Sequence, residues 1–274
     1  GVDLLTYCLV VEELSKVGLT ALPFLTSHSG ALDCFMTGGT PEQKREYLSR
    51  LLAGEFFAFV LTEPDAGSDV ASMQTRAVLQ GNNYVLNGTK CFISNADSAD
   101  ILMVYAKTDP KAGIRGISAF VVEKGTPGFH ISRKEKMMGG RAFQSCDVVF
   151  EDCPIPEENL LGREEGKGLT IILEFLHKGR IIVAASAVGL AQGALDYAIN
   201  FSKERVQFGR PIAQFQGIQF IFADLASQLE AARQLTYKAA SVAEDAGKEG
   251  MKLACMAKYL ATGICMKVTN DAVQ

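Results

Sequence analysis

The segment LTEPDAGSD at positions 61–69 concentrates groups that could hold a polar ligand. It follows a strand-like run, carries hydroxyls at Thr62 and Ser68, and leaves its backbone accessible at Gly67. Such a loop can hydrogen-bond a polar ring edge or a pyrophosphate. Read as a plain turn, its Asp and Ser side chains cap their own backbone instead. Glu63 and Asp65 form a possible carboxylate pair, set against the reading of an acidic turn facing solvent. Arg180 and Arg205 fall inside or at the end of helical patterns, and each alone reads as a surface ion pair. Arg205 is followed closely by Phe208, Gly209 and Pro211, and a guanidinium beside an aromatic in a tight turn can hold an anionic group. Phe59 and Phe92 lie in strand-like runs and, taken alone, read as core. Other chemistries lack their signatures. There is no GxGxxG, no Walker spacing and no GxSxG elbow. The three histidines, His28, His130 and His177, are far apart, so a metal site is not expected.

The elements that would position these groups fall into three zones. From residue 2 to about 54 the apolar spacing is helical, with Leu4, Leu5, Cys8, Val11 and Leu14 on one stripe. Thr40, Pro41 and Gln43 mark a second helix start with capping-box spacing. From about 56 to 161 short strands and turns take over: 57–62, 101–106, 116–122 and 146–150. A hairpin is predicted at 84–94 with Asn87-Gly88 as its turn, because Asn-Gly reaches positive φ at low cost. GTPG at 125–128 reads as a further turn. Helical spacing returns over 167–205, 214–246 and 248–274, which suggests a bundle of long helices with short links. The fold class is therefore α+β: an N-terminal helical segment (1–55), a middle antiparallel β-barrel or sandwich (56–162) and a C-terminal helical bundle (163–274).

Bulk properties narrow the function. The chain has 274 residues, 48% of them hydrophobic, so a sizeable core is available. A formal net charge of -4 gives no general attraction to nucleic acid or anionic lipid. The seven cysteines form no CxxC pair and read as reduced thiols of an intracellular protein. The longest apolar run, 181–191, is short for the roughly 20 residues of a membrane span. The chain opens on Gly-Val and closes in helical spacing without a glycine stop, which reads as a fragment or processed chain.

Together the motifs carry a resemblance. FFAFVLTEPDAGSD at 56–69 and NGTKCFISNA at 87–96 resemble the paired flavin motifs of acyl-CoA dehydrogenases. The likeness continues through KGR at 178–180, VGLAQGALDYA at 188–198 and KERVQFGRPIAQFQ at 203–216, and covers essentially the whole chain. It implies an FAD-dependent α,β-dehydrogenation of an acyl-CoA thioester to a trans-2-enoyl-CoA, with electrons passed to an electron-transfer flavoprotein. By the same resemblance Phe59, Leu61, Thr62, Gly67, Ser68, Phe92, Ile93 and Ser94 line the cofactor, Ser94 near the flavin N5 and Phe92 over one ring face. Arg205, Phe208, Phe215 and Gln216 would reach the FAD of a neighbouring subunit in a homodimer or homotetramer. Ser68, His177, Gly179 and Arg180 would meet the acyl-CoA.

Two departures stand out. His177 occupies a position where the family often has Asp, and an imidazole cannot replace that negative charge. Gly179 stands where one branch of the family carries its catalytic Glu, so the base is expected beyond Gln274, as in the other branch; Glu174 reads as an ordinary helix residue. The resemblance leans toward the short-chain, butyryl-CoA-like group. Oxidases or lyases on the same scaffold, and a non-catalytic flavin-binding fragment, remain alternatives. The implied location is soluble and intracellular, in cytoplasm or mitochondrial matrix.

Overall fold

The structure is a computed structural model and describes residues 2–18, 21–243 and 247–274. It divides by compactness into two units: residues 23–176, and residues 1–22 with 177–274.

The 23–176 unit is built on a seven-stranded sheet. Its strands are β1 (Phe57–Val60), β2 (Arg76–Gln80), β3 (Asn83–Ser94), β4 (Ile101–Lys107), β5 (Ile117–Glu123), β6 (Phe129–Lys134) and β7 (Ser145–Pro156). β5 pairs along the length of β4, while β1 and then β2 occupy its other edge, and β3, β7 and β6 follow. Most pairings are antiparallel, as expected; β1 and β2 both pair with β4 in parallel and make the sheet mixed. Residues 101–106 of β4 are all buried because both faces of this strand are covered. Leu102, Val104 and Ala106 enter one core with Ala58, Val60, Phe120 and Val122. Ile101, Met103 and Tyr105 enter a second core with Phe57, Ile117 and Val121, closed by Phe35, Tyr47, Ile171 and Ile172.

Those last four side chains come from helices. Within α2 (Ala21–Gly38), Phe35 stacks on Tyr47 of α3 (Pro41–Leu52) at a centroid separation of 4.4 Å. The capping box is present: Gln43 N–H donates to the Thr40 hydroxyl, and Thr40 N–H donates to Gln43 Oε1. Gln43 is also buried against the chain after β7, donating to the Glu158 and Leu160 carbonyls and accepting from Gly162 N–H. One side chain thus starts α3 and docks it.

The predicted hairpin is corrected. β3 runs unbroken through Asn87-Gly88, and the tight turn lies earlier, at Gly81-Asn82, where Gln80 faces Asn83. Gly88 instead sits at a register shift between β3 and β7 with φ +155°. A Cβ there would come within 2.7 Å of Thr75 Cα, so the glycine serves a close backbone approach. β2 and β6, which the sequence pattern did not mark, bury little: one of five residues in β2 and none fully in β6. Exposed strands of this kind carry weak apolar alternation.

In the other unit, α1 (Leu4–Ser15), α5 (Gln216–Ser241) and α6 (Gly247–Val273) join the C-terminal part of α4 (Gly168–Glu204). Gly189 and Gly193 of α4 lie against the Glu12 and Lys16 carbonyls of α1, where a Cβ would come within 2.1 Å. Glu12 is buried and accepts from Arg233 Nε at 2.9 Å and Tyr237 OH at 2.7 Å, tying α1 to α5.

Candidate functional site

The LTEPDAGSD loop is held from inside. Glu63 and Ala66 exchange backbone hydrogen bonds, closing the turn. The Glu63 carboxylate accepts from Gln74 N–H at 2.5 Å and Thr75 N–H at 3.1 Å, and pairs with Lys90 Nζ at 2.8 Å. Both side chains are buried, Lys90 at 0% and Glu63 at 5% exposure. Burial pushes the Glu63 carboxyl up, but the Lys90 ammonium and the N–H donors outweigh it and hold the group below the usual carboxylate range. Burial draws Lys90 down from the usual amine range, opposed by Glu63. The solvated reading of Glu63 is therefore wrong: its oxygens are committed to scaffold contacts, and it forms no catalytic pair with exposed Asp65.

The same lysine stitches the loop to β3. Lys90 Nζ donates to the Leu61 carbonyl at 3.0 Å, and Cys91 N–H donates to the Thr62 carbonyl at 2.9 Å. Leu61 and Thr62 are thereby brought beside the Phe92-Ile93-Ser94 segment. Phe92 has φ +57° at the shift in β3–β7 register between Lys90 and Ile93, and its ring is 66% exposed. A left-handed aromatic with its face in solvent is a costly arrangement of the kind that clusters at ligand sites. Ile93 is buried, while Thr62 and Ser94 are half-buried with no hydrogen bond to their hydroxyls among the described residues. Gly67 and Ser68 are exposed on the loop. Phe59 faces the helix-side core, 5.2 Å from the Tyr105 ring and 4.5 Å from Phe175.

In the other unit the chain after α4 forms a miniature hairpin, β8 (Val206–Gln207) and β9 (Arg210–Pro211), closed by Phe208 and Gly209 at φ +52° and +77°. Positive φ at both central residues is the turn that suits strand twist. It leaves Phe208 92% exposed. Ile212 N–H donates to the Arg205 carbonyl, so Arg205 stands exposed at the hairpin base. Phe215 receives Phe208 edge-on at 6.1 Å and the Arg210 guanidinium at 4.2 Å. Gln216 opens α5. Arg210 is a candidate that the sequence reading passed over, although FGRP is visible there.

His177, Gly179 and Arg180 share one stretch of α4 and are half-buried. The His177 Nε2 lies 3.3 Å from the Ala243 carbonyl, and its Nδ1 is buried without a partner among the described residues. Arg180 Nη1 reaches Met251 Sδ at 3.8 Å.

These features suit a flavin ring: a flat apolar face at Phe92, and hydroxyls at Thr62 and Ser94 with no partner among the described residues. In the other unit, Arg205 and Arg210 offer exposed guanidinium groups of the kind that suit a phosphate.

Comparison with known proteins shows the family. The models of the acyl-CoA dehydrogenase N-terminal, middle and C-terminal domains match residues 1–55, 58–153 and 166–274. The chain belongs to the acyl-CoA dehydrogenase family. It is 48% identical to the cyclohex-1-ene-1-carbonyl-CoA dehydrogenase of Geobacter metallireducens, over 98% of this chain and 71% of that protein. The butyryl-CoA dehydrogenase structure from Megasphaera elsdenii superposes with a TM-score of 0.94 at 45% identity, covering 100% of this chain and 72% of that one. A chain in a structure concerning the electron transferring flavoprotein of Acidaminococcus fermentans gives 0.95 at 48%, with the same coverage.

Proposed function

We propose that this chain is the scaffold of an FAD-dependent acyl-CoA dehydrogenase acting on short acyl chains and delivering electrons to an electron-transfer flavoprotein. The observation that carries the cofactor reading is the Thr62–Phe92–Ser94 edge. The butyryl-CoA dehydrogenase likeness supports the short-chain reading. When bound, FAD supplies the hydride acceptor for the substrate β carbon.

The chain's own residues do the rest. Phe92 would cover a ring face and exclude water, while Thr62 and Ser94 would donate to the ring. Leu61 and Ile93 hold these side chains from the core, and Gly67 and Ser68 leave the loop backbone open to the thioester arm. In a homodimer or homotetramer, Arg205, with Phe208, Phe215 and Gln216, would meet the FAD pyrophosphate of a neighbouring subunit. Arg180 and His177 contact the CoA portion, and Gly179 makes room without offering a base. No residue of 1–274 is assigned as the base that takes the α proton. The domain division 1–55, 56–162 and 163–274 belongs to this reading. So does an intracellular setting, in cytoplasm or mitochondrial matrix, which the seven free thiols support. Among the described residues no helix is long and apolar enough to cross a membrane.

The test is anaerobic visible spectroscopy of the chain mixed with FAD, then with butyryl-CoA. A protein-bound flavin spectrum that shifts on adding butyryl-CoA but does not bleach is expected. No bound flavin would overturn the cofactor reading. Bleaching would place a working base within the chain.

A further inference from the structure

The Glu63–Lys90 pair is costly to maintain, since two charges leave water to form it. It also does something specific. Among the described residues, Lys90 Nζ has two polar partners, the Glu63 carboxylate at 2.8 Å and the Leu61 carbonyl at 3.0 Å. The Leu61 carbonyl belongs to the peptide whose N–H is that of Thr62. The next carbonyl, that of Thr62, is fixed by Cys91 N–H at 2.9 Å. Among the described residues the Thr62 N–H finds no acceptor in the chain, and neither does the Thr62 hydroxyl. Thr62 is half-buried, and a backbone donor without an acceptor in such a place calls for one. Hydrogen bonds in series strengthen one another in a low-dielectric setting, and a cationic donor on a carbonyl makes the N–H of that peptide the better donor.

We propose that Lys90, anchored by Glu63, is a positioning residue that orients and polarises the Leu61–Thr62 peptide so that the Thr62 N–H donates to an electron-rich edge of the bound ring. The inference rests on the FAD reading above. Lys90 touches neither ring nor substrate; it acts through one peptide group. Glu63 keeps the ammonium charged and aimed, and its bonds to Gln74 and Thr75 prevent it from moving toward the ligand. A purely structural pair would hold the loop without changing the donor strength of Thr62, and this separates the two roles.

The experiment compares the chain with Glu63→Gln/Lys90→Met, which removes both charges together and keeps their shapes. Three quantities are read: the Thr62 amide proton shift in 15N-threonine-labelled protein without FAD, the FAD dissociation constant, and the flavin midpoint potential. In the folded variant the Thr62 amide is expected to move upfield, FAD to bind about tenfold more weakly, and the potential to fall. Glu63→Gln/Lys90→Gln retains a neutral donor near Leu61 and is expected to fall between, a gradation that loss of packing would not produce. An unmoved Thr62 amide in either folded variant, or unchanged affinity and potential, overturns the proposal. A parent chain that binds no FAD overturns the functional reading instead, and an upfield Thr62 amide in the variant would then still support the polarising role of Lys90.

Discussion

At the scale of single residues, the consequences follow from burial. Lys90→Met alone leaves the Glu63 carboxylate in the interior without its counter-ion, and a loss of about 3–5 kcal/mol in urea unfolding is expected. The pH dependence follows from the direction of the Glu63 shift. Its folded value lies below the unfolded one, so its contribution is fully present above the ordinary carboxylate value of about 4.3. It is lost as pH falls through the lower folded value. Glu63→Gln is expected to flatten the acid limb of stability against pH. The thiols give a second prediction. Burial pushes Cys8 and Cys34 up to about 12 and Cys153 up to about 11, whereas Cys255 is exposed. Alkylation of the folded protein near pH ~8, read by mass spectrometry, is expected to modify Cys255 and spare those three. Buried cysteines were legible because they sit in apolar runs. Glu63 was not, because an acidic turn looks solvated until its partner, 27 positions on in sequence, is brought against it. The available signal was a lysine inside the apolar strand run KCFI at 90–93.

Elements were legible where the deciding interaction is local. The start of α3 was visible in Thr40, Pro41 and Gln43, since capping needs only residues three apart. Thr40→Ala is expected to cost about 1 kcal/mol in thermal or urea unfolding. The long helices of the C-terminal part showed in their apolar periodicity for the same reason. Asn87-Gly88 misled because its chemistry suits a hairpin, while here Gly88 is packed against Thr75, the residue just before β2. Gly88→Ala brings a methyl group against that backbone and is expected to destabilise by roughly 2 kcal/mol or more. Gly81→Ala meets open space at φ +62° and is expected to cost about 1 kcal/mol. The order of these two variants in denaturant tests which glycine makes the turn. The candidate site showed the same division: its motif residues could be marked from sequence, but the left-handed Phe92 and the Arg210–Phe215 stacking arise from register and turn geometry.

On the scale of the whole molecule, the chain spans about 70% of the proteins it matches. In the unit of residues 1–22 and 177–274, Tyr197, Phe208, Phe220 and Tyr259 are between 67% and 92% exposed. Large apolar side chains left in water favour association, and sedimentation is expected to show oligomers whose fraction falls when Phe220 and Tyr259 are replaced by lysine. Glu12 connects segments far apart in sequence, so Glu12→Ala, which takes one carboxylate from Arg233 and leaves the Tyr237 hydroxyl without its acceptor while Arg233 keeps Glu230 and Gln192, is expected to lower stability by about 1–3 kcal/mol. Urea denaturation read by far-ultraviolet circular dichroism checks it. No periodicity could reveal that link, because both ends sit on ordinary helical stripes.

Strand β4 has one more implication. Met103 and Val104 are neighbours in the chain, yet each belongs to a different core. The strand acts as a partition wall, and a void opened on one side is relaxed by side chains that the other side never touches. Truncating both residues should therefore sum almost as two distant mutations do, so that for a variant of this protein the shared compartment, more than the distance along the chain, decides which losses compound.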